Sequence, residues 1–251
     1  MSDTTGEPLG PGPGPGPGPG PRSRLPVGEP VGGEPATLPP GSAISGRFVR
    51  LEPLDTQAHA VALFERSHAS SDDEAIWTYM TYGPFDGLDE MRTWLTASAA
   101  SRDPRFFTVI ETSTGEPAGV VSVMNIDAAM RRLELGHIWY VRSAQRGRAN
   151  TEAAFLLLRE AFERWGYRRV EWKCDSLNAR SRAAAERLGF TSEGVFRSHM
   201  IVKGRNRDTA WFSMLEAEWP TRRDAIQRWL DADAGTVSLR GLMAEATGGT
   251  P

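Results

Sequence analysis

Hydrophobic positions along the chain change their spacing several times, and each change marks an element. Phe48-Val49-Arg50-Leu51 alternates as a short strand, and Asp55 stands where a side-chain acceptor caps a helix carrying Ala58, Val61, Ala62, Leu63 and Phe64. An aromatic-rich segment, Trp77 to Phe85, ends in a Gly83-Pro84 breaker, and a second helix is predicted from Leu88 to Ala100. Phe106 to Ile110 and Ala118 to Met124 are β-rich runs joined by a Thr114-Gly115-Glu116 turn, the pattern of an antiparallel hairpin. A third strand follows from Leu133 to Val141. The period then switches to 3.6: Ala154, Phe155, Leu157, Leu158, Ala161, Phe162 and Trp165 share one face of a helix begun by Thr151-Glu152 and ended by Gly166.

The strand Arg169 to Cys174 comes next, so strand, helix and strand predict a parallel pair with a right-handed crossover. Asn178 is placed to cap a further helix that ends at Leu188-Gly189. Strands at about 194 to 202 and 208 to 215 flank Lys203-Gly204-Arg205-Asn206 as a hairpin, and a short helix through Ile226 and Leu230 follows Pro220 before a Gly/Thr-rich end. The expected architecture is α/β (α+β): a mixed, mostly antiparallel sheet with one central parallel pair and flanking helices.

Composition sharpens this reading at the ends of the chain. Of 18 prolines, 12 precede residue 41, and residues 10 to 21 alternate Gly and Pro with period two, which excludes the period-three collagen helix. Residues 1–43 are therefore expected as a disordered tail, 44–218 as a single domain, and 219–251 as a helix with a flexible end. A net charge of −3 removes the case for nucleic-acid binding. No apolar run approaches the roughly 18 residues of a membrane span, and no signal peptide is evident, so a cytoplasmic protein without membrane or nucleic-acid partners is expected. One cysteine, Cys174, fits a reducing compartment. The histidines at 59, 68, 137 and 199 show no metal-ligand spacing, and no metal is expected.

Chemistry concentrates where the third strand turns into the long helix. Gln145-Arg146-Gly147-Arg148-Ala149-Asn150 brings basic side chains to a helix N-terminus, whose free N–H groups favour an anion. An ordinary basic loop gives the same spacing. Glu134 sits in an apolar strand, which makes it either a base or a carboxylate paired with Arg131, Arg132 or a backbone N–H. In a regular strand His137 points to the face opposite Glu134 unless a bulge intervenes.

Taken in order, Leu133 to Val141 with its Glu-x-Gly, the Gln145-led loop, Thr151-Glu152-Ala153, Asn178-Ala179-Arg180-Ser181 and Glu193-Gly194-Val195-Phe196-Arg197 resemble the Gcn5-related N-acetyltransferase (GNAT) superfamily, in particular its ribosomal-protein-alanine acetyltransferase type. The resemblance covers roughly residues 45–216. It implies an acetyl-CoA-dependent N-acetyltransferase acting on a primary amine, either a protein N-terminus or a small molecule, with acetyl-CoA lying between the fourth and fifth strands of the fold. On this resemblance Glu134 is the candidate base and Ser181 the candidate partner of the leaving thiolate. Ile138, Trp139, Tyr140, Gln145, Arg146, Gly147, Arg148, Ala149, Asn150, Thr151, Asn178 and Ser181 are the candidate cofactor contacts. Tyr79, Tyr82, Phe85 and His199 are candidate acceptor-side residues.

One departure from the pattern is evident: Arg148 and Asn150 stand where the family carries small residues. A side chain at Arg148 either displaces a pyrophosphate or replaces backbone contacts with a bidentate one. The alternative reading is a non-catalytic acyl-CoA-binding or protein-interaction module on the same fold. Oligomeric state, monomer or dimer, is not readable from the sequence.

Overall fold

The computed structural model describes residues 25–145 and 147–248. The chain divides into two units, residues 1–34 and 35–251. Of the first unit, residues 25–34 hold neither helix nor strand. In the second, eight strands form one sheet: β1 (Ile44–Ser45), β2 (Val49–Pro53), β3 (Arg105–Glu111), β4 (Pro117–Asp127), β5 (Arg132–Tyr140), β6 (Arg169–Asp175), β7 (Thr191–Val202) and β8 (Arg205–Leu215). Their spatial order is β1-β2-β3-β4-β5-β6-β8-β7, with β5 and β6 parallel and every other pair antiparallel. The predicted mixed sheet with one parallel pair is the observed one.

Helices α1 (Thr56–Ser67) and α2 (Leu88–Ala100) pack on β4 and β3, while α3 (Arg148–Arg159) packs on β2 through β5. Pro117–Val123 of β4 is buried without a break, as a strand covered on both faces requires. Asp55 caps α1, its carboxylate accepting from Gln57 and Ala58 N–H. The apolar run Phe155-Leu156-Leu157-Leu158 of α3 is buried throughout, at about 1.5–3 kcal/mol for each large side chain taken from water. After Arg159 the helix widens into one π turn, Glu160–Arg164, before Trp165 and Gly166. Helix α3 begins at Arg148, three residues before the predicted Thr151.

One long-range bond set fastens α3 to the start of the sheet. Glu152, buried in its second turn, accepts from the backbone N–H groups of Arg47 (2.8 Å), Phe48 (2.6 Å) and Val49 (2.7 Å). Gly46 permits this approach, since a Cβ there falls 2.6 Å from the carboxylate.

Helix α4 (Ala179–Arg187) follows β6, and α5 (Trp219–Asp231) and α6 (Leu239–Thr247) close the chain. The Gly/Thr-rich end was expected as flexible, yet Leu239, Leu242 and Met243 of α6 are buried. A spacing of 239, 242, 243 is helical, but too short to stand out beside the polar residues around it. At the other end, Ala36 and Thr37 donate backbone hydrogen bonds to Ala128 and Trp165 carbonyls, so the chain has joined the body seven residues before the expected tail boundary at 43.

Candidate active site

Strands β5 and β6 run paired only from Arg132↔Arg169 to Leu135↔Trp172. Beyond that point β5 continues alone beside β4, and a register shift between Val120 and Ser122 opposite Gly136–Trp139 marks a bulge. His137 takes a left-handed φ of 50° there. The edge of β5 from Gly136 to Tyr140 that faces away from β4 therefore has no strand beside it among the described residues. A cavity of about 840 Å³ opens at this gap, lined by Glu134 through Ile138 of β5, by Trp172 through Asp175 of β6, and by Asn178 and Ser181 of α4.

Glu134 lies in its wall, with its side chain almost fully buried. Its Oε2 accepts from Asn125 Nδ2 at 2.6 Å and lies 2.8 Å from Lys173 Nζ. Both contacts fall on one oxygen, so among the described residues Oε1 is left to the cavity. Lys173 also lies 2.9 Å from Glu171 and stands 3.9 Å from the centre of the Trp211 ring. Burial alone pushes the Glu171 carboxyl up, but hydrogen bonds from Lys173 and Arg169 outweigh it and hold the group below the usual carboxylate range. The expected partners of Glu134 are engaged elsewhere: Arg131 donates to Gly166 carbonyl and pairs with Glu216, and Arg132 pairs with Asp127. Lys173 was not singled out because it sits on a different strand, and only the parallel register sets it diagonally beside Glu134.

On the other side of the gap, Asn178 caps α4 as predicted, its Oδ1 accepting from Ser181 N–H at 3.1 Å. Ser181 Oγ accepts from Trp172 Nε1 at 3.0 Å and faces the cavity. Cys174 is buried beside it, and burial pushes its thiol up, which disfavours a nucleophilic thiolate.

The bulge overturns the expected placement of His137, which lines the cavity in company with Glu134. Its ring stacks on Tyr82 at 5.6 Å and packs by Phe106 at 4.8 Å, and burial pushes its pKa down to about 4. Of the aromatic candidates, Tyr79 lines the cavity and donates to Leu177 carbonyl at 3.1 Å. Tyr82 and Phe85 do not line it. Phe85 is buried against Trp77 and His68, and Tyr82 stacks on Trp94 at 4.1 Å, so both belong to the packing under α1 and α2. Lys203, at the β7–β8 turn, donates to the carbonyls of Trp77 (2.8 Å) and Gly83, tying that hairpin to the aromatic loop. His199 lines the wall, its Nδ1 3.0 Å from Thr209 Oγ1.

The turn into α3 has the features of an anion cradle. Gly147 is the cap residue and supplies no side chain, so the first-turn N–H groups of α3 carry no side-chain cap, and only Ala144 carbonyl lies near a hypothetical Gly147 Cβ, at 3.6 Å. Gln145 folds back, donating to Tyr140 carbonyl at 3.0 Å. Arg146 lies outside the described residues. Arg148 follows neither course expected of it: its guanidinium turns onto the end of α5, donating to Leu230 carbonyl (3.3 Å) and to Ala232 carbonyl, and lies over the Phe48 ring. The Arg148 side chain is thereby held away from the loop. Ala149 and Thr151 are buried, Thr151 accepting from Arg187 at 2.8 Å, and Trp139 and Tyr140 are buried core residues that do not line the cavity.

The acetyltransferase (GNAT) domain family model matches residues 49–191 of this chain. Among solved structures, a GCN5-related N-acetyltransferase from Brucella melitensis is 42% identical, covering 84% of this chain and 97% of its own, with a TM-score of 0.81. A GNAT-family protein from Chromobacterium violaceum ATCC 12472 is 40% identical, covering 80% and 99% of the two chains at a TM-score of 0.72. YdaF of Bacillus subtilis (strain 168), provisionally named a ribosomal N-acetyltransferase, is 33% identical over 105 residues, 42% of this chain. That match spans 57% of YdaF, little more than half its length.

Proposed function

The chain belongs to the GNAT acetyltransferase family, and we propose that it transfers the acetyl group of acetyl-CoA directly to a primary amine, the α-amine of a protein N-terminus or that of a small molecule. GNAT enzymes take acetyl-CoA as co-substrate, and it supplies an acyl group already activated as a thioester. The observation that carries the proposal is the gap between β5 and β6 beyond Leu135, with Glu134 on one wall and Ser181 on the other. The residues present fit the co-substrate: the uncapped N–H groups at the start of α3 and the side-chain-free Gly147 suit a pyrophosphate, and Asn178 and Ser181 border the gap.

In this reading the protein's own groups do three things. Asn125 and Lys173 orient the Glu134 carboxylate, whose free Oε1 takes the proton from the attacking amine, directly or through a water. The edge of β5 beyond Leu135, where pairing with β6 has ended, offers N–H donors to an acyl oxygen gaining charge. Ser181 can present its hydroxyl proton to a departing thiolate while Trp172 Nε1 donates to its oxygen. An α-amine, with a pKa near 8, costs about 1 kcal/mol to deprotonate at pH 7, against roughly 4–5 for a lysine near 10.4, so α-amines and weakly basic amines are the favoured acceptors.

The test is release of CoA thiol from acetyl-CoA by the full-length chain with a panel of N-terminal peptides and small amines, beside calorimetric titration with acetyl-CoA. Turnover with one of these classes is the expected result. Tight acetyl-CoA binding without thiol release by any amine would overturn the proposal in favour of a binding module, and absence of binding at millimolar acetyl-CoA would overturn both.

A further inference from the structure

Three cationic side chains line the cavity: Arg132, Lys173 and Arg207. Arg132 pairs with Asp127 at 3.4 Å, and Lys173 with Glu134 at 2.8 Å and Glu171 at 2.9 Å. Among the described residues Arg207 makes neither an ion pair nor a side-chain hydrogen bond, and its Nε is buried without a partner. A buried donor left unpaired is costly, and one on a side chain that lines a cavity stands where a ligand can complete it.

None of the cavity's carboxylates pairs with it, and each has other partners. Asp103 accepts from Ile126 N–H, Asp127 from Met130 N–H and Arg132, Glu134 from Asn125 and Lys173, and Asp175 from Leu177 N–H. The register fixes which side of the sheet Arg207 serves. Residues two apart on β8 share a face, so Arg207 goes with Thr209 and Trp211, which stand opposite Asp175 and Lys173 of β6. Lys173 carries this face on to Glu134, whereas Trp172 turns to Ser181 on α4. Arg207 thus lies on the Glu134 side, next to His199 on the β7–β8 hairpin and away from the cradle at the start of α3. It also lies past residue 191, where the family match ends.

Resting on the acetyl-transfer reading above, we propose that Arg207 is a specificity residue for the acceptor: the amine to be acetylated carries a carboxylate, which the guanidinium fork takes while Glu134 faces the amine. A planar guanidinium pairs two N–H donors with the two oxygens of a carboxylate, a geometry that no single uncharged amide reproduces. That carboxylate has two sources, the α-carboxylate of a free amino acid or an acidic side chain close to a peptide's N-terminus.

Two matched pairs test it. L-Alanine is compared with L-alaninamide, and an Ala-Asp-Ala amide peptide with Ala-Asn-Ala amide, each as acceptor in thiol release and each as its N-acetylated product in calorimetric titration of the full-length chain. The titration needs no turnover. Charge-assisted hydrogen bonds set the expected preference for the carboxylate at about tenfold or more in one pair, and the pair that shows it identifies the source. Arg207→Met is expected to erase that preference without changing affinity for acetyl-CoA, and Arg207→Lys to keep part of it. Equal treatment of acid and amide in both pairs, or a preference that survives in Arg207→Met, overturns the proposal. So does a loss of acetyl-CoA affinity in Arg207→Met with no change in acid against amide. Transfer without carboxylate preference sinks this inference alone, while carboxylate-selective binding without transfer sinks only the acetyl-transfer reading.

Discussion

Replacing Lys173 by Met probes the charge arrangement beneath the cavity. The ammonium is shared between Glu134 and Glu171, at 2.8 and 2.9 Å, and all three side chains are at least 87% withdrawn from solvent, with relative exposures of 13%, 7% and 6%. Methionine keeps the stem against Trp211 but removes the charge. Removing one partner of a buried pair costs about 3–5 kcal/mol, and because Arg169 still holds Glu171 at 2.8 Å, the lower end applies. At about 2–4 °C per kcal/mol for a chain of this size, the melting temperature is expected to drop by roughly 6–12 °C at pH 7.5. The sign of the pH dependence follows from the carboxyls. In the parent chain Glu171 is held below its usual range, which adds stability above the unfolded value of 4.5 that fades as pH falls through the folded one. In Lys173→Met only Arg169 is left to offset burial at Glu171, so that carboxyl moves up, and the stability lost with the ammonium is felt while Glu171 is ionised and fades as it protonates. Melting curves between pH 7.5 and 4.5 are expected to converge. A deficit under about 1 kcal/mol, or one constant across that range, would refute the account of Lys173 as the compensating charge.

Four further outcomes follow from the structure. If Glu134 is the base as proposed, Glu134→Gln is expected to lower kcat by about 100-fold or more with acetyl-CoA affinity retained, since the cradle at the start of α3 is untouched; steady-state kinetics with calorimetry checks it. Ser181→Ala strips the acceptor from Trp172 Nε1 and the hydroxyl from the gap, and a fall in kcat of about tenfold with a small stability loss is expected in the same assays. Glu152→Ala leaves three backbone donors unpaired and is expected to cost about 3 kcal/mol or more in denaturant unfolding, whatever acceptor is present. His137, with its pKa pushed from 6.5 down to about 4 by burial, takes up a proton more readily unfolded than folded. Stability is therefore expected to fall by up to roughly 3 kcal/mol as pH drops from 6.5 to 4, and His137→Asn, which tolerates the left-handed φ, to flatten that segment of the unfolding profile.

What the sequence makes legible is decided by range. Asp55 and Asn178 act on N–H groups two or three residues away, and both caps stand as read. The parallel pair follows from an unbroken apolar face on α3 between two strands. The identity of Glu134's partner depended on the pairing of β5 with β6, 35 residues downstream, and on a diagonal neighbour within it, which no local pattern encodes. His137 was misplaced for a related reason: alternation holds only while a strand is regular, and the bulge beside Val121 resets it. Arg148 stood out as an exception in the loop, but its destination, the last carbonyls of α5, is more than 80 residues away. Arg207 carried no sequence signal at all, being one arginine among several in a hairpin. Its distinction is the absence of a partner, which only the assembled cavity reveals.

The three amides gathered by Glu152 set an order of events during synthesis. Residues 47–49 leave the ribosome about a hundred residues ahead of the carboxylate that receives them, and β2 pairs with a strand that emerges some sixty residues later. The opening hairpin therefore waits, with its donors on water, until α3 has been made and docked. A nascent chain arrested before residue 152 is expected to expose this stretch to proteases, and one arrested after α3 has cleared the exit tunnel to protect it.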